Sequence, residues 1–149
     1  MENSELKWHK RFAEMTKMVS SWSKDPSTQV GAVIVDEDNR IISCGYNGFP
    51  KSIPDDEQLL MDRDFKYDVI IHAEENAIMF ANTSLKGKTI YVTHHPCPKC
   101  ASKIAQTGIS RVVVTTKPSA DFMERWKVSM ARSKYILQHA EVDVLILED

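Results

Sequence analysis

The sequence predicts an α/β protein in which one mixed sheet of five strands carries helices on both faces. Three observations lead there. Segments with apolar residues at every third or fourth position alternate with short β-branched runs. Two of those runs are separated only by Asp38 and Asn39, a turn pair that predicts a hairpin. Two others bracket a helical segment, and a strand–helix–strand unit favours parallel pairing. The resulting order is helix, hairpin, helix, strand, helix, strand, helix, strand, which builds a sheet between two helical layers. At 149 residues the chain has the length of a single domain with one sizeable core, spanning residues 1–149.

Trp8, Phe12, Met15, Val19 and Trp22 recur every three or four residues, with Lys10, Glu14 and Lys17 on other faces, so the first element is an amphipathic helix with a core-facing stripe. Residues 29–37 and 40–46 are the two strands of the hairpin, and Cys44 within the second reads as a buried small hydrophobe. Residues 47–67 hold Gly48, Pro50, Pro54 and several Asp without periodicity, which predicts a long functional loop. Residues 72–82 read as a helix: Ala73, Ala77, Phe80 and Ala81 share a face, and Glu74 and Glu75 lie in the first turn, where carboxylates suit the helix dipole. Residues 88–93 and 111–116 are strands around a helix over 96–108, which opens on Pro96 and stops at Gly108. Ser119 caps a last long helix reaching about His139, with Phe122, Trp126, Met130 and Leu137 as its buried stripe, and residues 142–147 close the sheet.

Chemistry concentrates at two helix starts. His72-Ala73-Glu74 opens one, and Pro96-Cys97-Pro98-Lys99-Cys100 opens the other. Cys97 and Cys100, three residues apart, share a helix face, and the positive helix end lowers their thiol pKa. One His nitrogen and two thiolates make three zinc ligands and leave the fourth position open, as a catalytic site requires. Glu74 is then free to move protons. H-x-E followed by P-C-x-x-C resembles the signature of zinc-dependent nucleobase deaminases. Taken singly, each half is weak, since C-x-x-C also serves redox and structural pairs. His94 and His95, just before Pro96, are the candidates for a fourth ligand; ligation by either would close the open position, so one is expected to line the pocket and the other to be solvated.

The 19 basic and 21 acidic residues leave a formal charge of -2, which offers no overall basic field for a long polynucleotide. No stretch approaches a membrane span, residues 1–10 are polar, and three cysteines, two at metal-ligand spacing, suit a reducing cytoplasmic compartment.

From about Trp8 to Val144 the chain resembles the deoxycytidylate deaminase family, within the three-layer α/β/α cytidine deaminase-like fold. The resemblance rests on residues 23–32 (SKDPSTQVGA), 45–50 (GYNGFP) and 72–78 (HAEENAI), in that family's order, in addition to the cysteine motif. It implies hydrolysis of dCMP to dUMP and ammonia, feeding thymidylate synthesis. A zinc ion held by His72, Cys97 and Cys100 would supply an activated water near neutral pH. Glu74 would carry a proton to the pyrimidine N3 and later to the leaving amine. The resemblance further implies Ser23 and Lys24 near the 5′-phosphate and Asn47 on the deoxyribose hydroxyl. It places an effector site around Gly45, Tyr46, Asn47 and Gly48, activated by dCTP with Mg2+ and inhibited by dTTP, in a homohexamer. Residues 51–54 depart from the family by lacking the small Gly-containing turn that often follows its Pro. Arg125, Trp126 and Lys127 are expected to form a solvated charged face. Other zinc deaminases, acting on free cytidine or on adenosine in RNA, share only the metal motifs and part of the strand pattern, and a zinc-stabilised interaction domain would need neither Glu74 nor an open position.

Overall fold

The computed structural model describes residues 2–148. Its elements are α1 (Asn3–Ser20), β1 (Gly31–Val35), β2 (Ile41–Tyr46), α2 (Glu57–Met61), α3 (Arg63–Val69), α4 (Ala73–Met79), β3 (Thr89–Val92), α5 (Pro98–Thr107), β4 (Arg111–Val114), α6 (Ala120–Arg125), α7 (Lys127–His139) and β5 (Asp143–Ile146). The strands form one five-stranded sheet in the order β2-β1-β3-β4-β5. β1 runs antiparallel to both β2 and β3, whereas β3, β4 and β5 are parallel. The sheet is therefore mixed, as expected.

Its two faces are covered unequally. Ile90 and Val92 of β3, Ala32 and Ile34 of β1, and Val112 and Val114 of β4 pack with Ala73 and Ala77 of α4, Ala101 and Ile104 of α5, and Leu137 of α7. The opposite face presents Val33, Val35, Tyr91 and Val113 to Phe12 and Val19 of α1. A sheet buried on both sides needs apolar residues at successive positions, and this is why the inner strands read as unbroken β-branched runs. The layers approach most closely at two glycines. A Cβ on Gly31 would lie 2.4 Å from the Thr16 carbonyl oxygen of α1, and one on Gly45 would lie 2.5 Å from both Ala73 O and Ala77 N of α4. Any side chain at either position would push a helix off the sheet.

The hairpin turn is pinned by Asp36, whose Oδ1 accepts from Asp38 N (2.8 Å) and Arg40 N (2.9 Å), with Asn39 in the left-handed region at φ 60°. α5 stops where the sequence signals it, at Gly108 with φ 83°.

Four expectations are corrected. Residues 47–67 are not wholly irregular: Asp56 caps α2 by accepting from Gln58 N, and Asp62 caps α3 by accepting from Phe65 N. Helices this short show no periodicity, so only their caps were readable. The last helix is two, broken at Trp126 (φ -106°, ψ 21°). Met130 and Leu137 are buried with Ser133, but Phe122 is only half-buried and Trp126 is exposed, so the stripe is confined to α7. Trp22 lies beyond the C-cap of α1, half exposed, with its ring edge-on to Tyr46. Cys44 is exposed: paired with Val33, it shares the α1 face of the sheet, but β2 is the edge strand and lies at the margin of that helix's cover. Among the described residues, no helix is long and apolar enough to cross a membrane.

Candidate active site

The structure brings His72, Cys97 and Cys100 together. Their ligand atoms lie within 4.8 Å of one another, with the Cys97 and Cys100 sulfurs 3.6 and 3.3 Å from His72 Nδ1. Zinc bond lengths of about 2.1 Å to nitrogen and 2.3 Å to sulfur put neighbouring ligands in a tetrahedral site about 3.6 Å apart, so the observed spacing fits that ion.

Local sequence accounts for the placement. The bridge between Gly48 and Ile71, whose two hydrogen bonds are 3.0 and 2.8 Å long, fixes the chain just ahead of His72. His72 is the N-cap of α4, and Glu75 Oε1 accepts its backbone N–H at 2.8 Å. Cys97 is the N-cap of α5, followed by Pro98 in its first turn, where a missing N–H costs nothing. Cys100 follows in the same turn. The donor set thus spans the amino ends of two helices, where the helix dipoles favour anionic thiolates.

The electrostatics match this geometry. The hydrogen bond from Cys100 and the neighbouring His72 pull the Cys97 thiol down to about 4 against the opposing effect of burial. The same bond and burial push the Cys100 thiol up. A divalent cation bound between the sulfurs would favour the thiolate form of both. Cys97 raises the pKa of His72 against the opposing effect of burial. Glu74, two residues beyond His72 and 4% exposed, is raised by burial to about 7. A carboxyl poised near neutrality can both accept and release a proton under physiological conditions.

His94 and His95 stay outside the donor cluster. His94 Nδ1 lies 2.9 Å from Thr93 Oγ1, and its ring packs against Phe122. His95 is buried; its Nδ1 lies 3.1 Å from Pro96 O, which also accepts from Ser133 Oγ at 2.8 Å. Burial lowers the pKa of both rings. His95 is buried, whereas His94 keeps part of its surface open to solvent.

Two of the expected substrate residues, Ser23 and Asn47, lie in a single polar knot. Ser23 Oγ donates to Asn47 O (2.8 Å), Asn47 Oδ1 accepts from Val30 N (2.8 Å), and Asn47 Nδ2 donates to Thr28 O (2.9 Å). Both side chains are buried and bonded within the loop. Lys24 is exposed, with its ammonium 3.2 Å from Asp55. Gly45, Tyr46 and Gly48 run along the same edge, with Asn76 Nδ2 of α4 donating to Tyr46 O at 2.8 Å. Arg125, Trp126 and Lys127 are exposed, as expected.

Sequence reasoning missed the centre of this knot. Lys66 of α3 is 8% exposed, and its ammonium lies 3.1 Å from both Asp25 Oδ1 and Ser27 Oγ. Asp25 Oδ1 also accepts from Ser27 N at 2.8 Å. The Asp-Pro-Ser turn was a readable signal for Asp25, whereas nothing near Lys66 marked it as buried.

Residues 6–116 match the family model described as the cytidine and deoxycytidylate deaminase zinc-binding region. The chain belongs to the cytidine and deoxycytidylate deaminase family. The matched region of this family member contains all three donors and Glu74. An uncharacterized deaminase in the luxG 3′ region of Aliivibrio fischeri is 50% identical over 138 residues, covering 93% of this chain and 92% of that one. A probable deoxycytidylate deaminase of Caenorhabditis elegans is 42% identical over 146 residues, covering 94% and 70%. Among solved structures, the dCMP deaminase from the cyanophage S-TIM5 in complex with dCMP and dUMP superimposes with a TM-score of 0.77 at 24% identity, covering 99% of both chains. That likeness establishes the cytidine deaminase-like fold.

A cleft of about 440 Å³ occupies the opposite rim of the sheet. Thr89, Arg111 and Asp143, the first residues of β3, β4 and β5, line it together with Glu5, Trp8, His9 and Tyr91. Cys97 follows the other end of β3, so this cleft takes no part in the metal centre.

Proposed function

We propose that the chain is a single zinc-dependent deaminase domain over residues 1–149 that converts dCMP to dUMP and ammonia. The observation that carries this reading is the buried, near-neutral Glu74 beside a three-donor set at two helix starts. The deoxycytidylate deaminase named in Caenorhabditis elegans supports the choice of substrate.

His72, Cys97 and Cys100 would hold Zn2+, which would supply an activated water. Glu74 would pass one proton of the attacking water to N3 of the pyrimidine as the water oxygen bonds to C4, then pass the second, from the new C4 hydroxyl, to the amine as the C4–N bond breaks and ammonia leaves. The protein's share is to keep this carboxyl buried, so that it exchanges protons with the substrate and not with solvent. Lys24 is the cation assigned to the 5′-phosphate, a role supported by its exposure, with the phosphate replacing Asp55 as its partner. Ser23 and Asn47 are bonded inside the knot, so a direct contact to phosphate or deoxyribose would require them to exchange those internal hydrogen bonds for the nucleotide. dUMP formed in this way supplies thymidylate synthesis.

Regulation by dCTP with Mg2+ as activator and dTTP as inhibitor, through Gly45, Tyr46, Asn47 and Gly48, completes the reading. A homohexamer in the cytoplasm is its setting. Exposed Trp22, Tyr46, Met79 and Phe80 near that segment support self-association, and the three free cysteines support a reducing compartment.

The test is ammonia release by zinc-replete protein from dCMP, deoxycytidine, CMP and dCTP side by side, with and without dCTP–Mg2+ and dTTP. A strong preference for dCMP is expected. Turnover of deoxycytidine alone would move the chain to nucleoside deamination, and silence on all four would overturn the assignment. Saturation curves that ignore both effectors would remove the regulatory part alone.

A further inference from the structure

The mechanism uses Glu74 but leaves its neighbour Glu75 without a task, although Glu75 touches both helices that bear metal donors. Oε1 accepts the backbone N–H of His72 at 2.8 Å, and Oε2 pairs with the ammonium of Lys103 on α5. The spacing on the two helices is the same. Glu75 stands three residues after His72 on α4, and Lys103 stands three residues after Cys100 on α5, so each charge shares a helix face with a donor. α4 and α5 lie side by side. Where the donors face one another across the metal centre, the charges face one another one turn away.

We propose that Glu75 and Lys103 are positioning residues that brace the two helix starts at the separation the zinc donors require. The inference rests on the zinc reading above. One carboxylate fixes the backbone of one donor and, through Lys103, the helix of another. Loss of that bridge lets α5 shift relative to His72 and loosens the donor set. Partners behind the ligands typically contribute about ten- to hundredfold in metal affinity. Lys103 is half exposed and Glu75 mostly buried, at 50% and 21% of the side chain, so salt weakens the bridge without abolishing it.

A simple helix cap is the competing role for Glu75, and two variants separate it from the brace. Glu75→Gln keeps an acceptor for His72 N–H but removes the charge opposite Lys103. Lys103→Met removes the ion pair and leaves the cap intact. Zinc release to a chromophoric chelator is measured for wild type, both variants and the double variant, together with the melting temperature of each zinc-free protein. The expected result is zinc release on the order of tenfold faster in either single variant, no further acceleration in the double variant, and unchanged zinc-free melting temperatures. High salt should accelerate release from wild type alone. Wild-type release rates in both variants, or equal acceleration tracking a drop in zinc-free stability, would overturn the brace. A wild-type protein that does not hold one zinc per chain would instead overturn the reading on which it rests.

Discussion

Burial makes the Glu74 carboxyl costly to ionise and raises its pKa to about 7, against the neighbouring His72, which favours the anion. Glu74→Gln preserves the volume and the hydrogen-bonding edge while removing the exchangeable proton. The variant is expected to fold, to bind one zinc and to lose about 10³-fold in kcat, measured by ammonia release alongside metal analysis. Substantial turnover would show that another group moves the proton. Lys66 tests a different residue-scale force. Lys66→Met would leave Asp25 buried without its cation, and breaking such a pair costs about 3–5 kcal/mol. Urea unfolding should register that loss, and a variant as stable as wild type would mean that solvent reaches Asp25. These two residues also mark what could be read from the chain. His72, Glu74, Cys97 and Cys100 fall into two short local patterns at helix starts, and the three-residue spacing of the cysteines already implies a shared helix face. Lys66 and Asp25 are 41 residues apart, and no local pattern announces a contact at that separation.

Periodicity revealed an element wherever one face was buried over several turns, as in α1 and α5. It failed for α2 and α3, which span five and seven residues and bury one residue each. It also ran through Trp126, because a short break does not disturb the three-to-four spacing of apolar residues on either side. Cys44 shows the related failure in a strand: composition marks a residue as apolar, but only the position of β2 at the sheet edge determines that it faces outward. The most sensitive contact between elements is Gly45 against α4. Gly45→Ala forces a methyl group to within 2.5 Å of the α4 backbone, so that helix or the strand must shift. A loss of about 1–3 kcal/mol in stability is expected from such overpacking, accompanied by weaker zinc retention because α4 begins at His72. Denaturant unfolding and chelator competition measure the two effects, and a stability loss without any change in zinc retention would show that α4 moves as a rigid body with its metal centre.

The layered α/β architecture followed from the order of elements, but the strand order did not. The insertion of β3 between β1 and β4 is a tertiary fact: sequence specifies that β3 and β4 flank a crossover helix, not which edge of β1 they join. The far rim of the sheet was equally hidden. There His9 of α1 bonds through Nδ1 to Tyr91 OH (2.7 Å), faces Glu5 from its own helix, and lies near Arg111 of β4. Burial, aided by Arg111 and opposed by Glu5, lowers the His9 pKa below its ordinary 6.5. The unfolded chain therefore binds this proton more tightly than the folded one, so the His9 contribution is complete above about pH 6.5 and is lost as pH falls below it. His9→Gln has no such dependence. The difference in melting temperature between wild type and variant should shift in the variant's favour from pH 7.5 to pH 5, while ligand protonation affects both proteins alike. A difference independent of pH would show that folding leaves the His9 pKa where it stands in the unfolded chain.

Gly31 and Gly45 stand on neighbouring rungs of the β1–β2 ladder and receive α1 on one face and α4 on the other. At each of the two rungs one helix rests directly on glycine backbone, with no side chain of that residue between. The first helix, which carries no donor, is thus the backstop of the helix that follows His72. A load hung on the amino end of α1, such as a fused partner or a surface tether, would act through a stiff lever whose other arm ends at the metal.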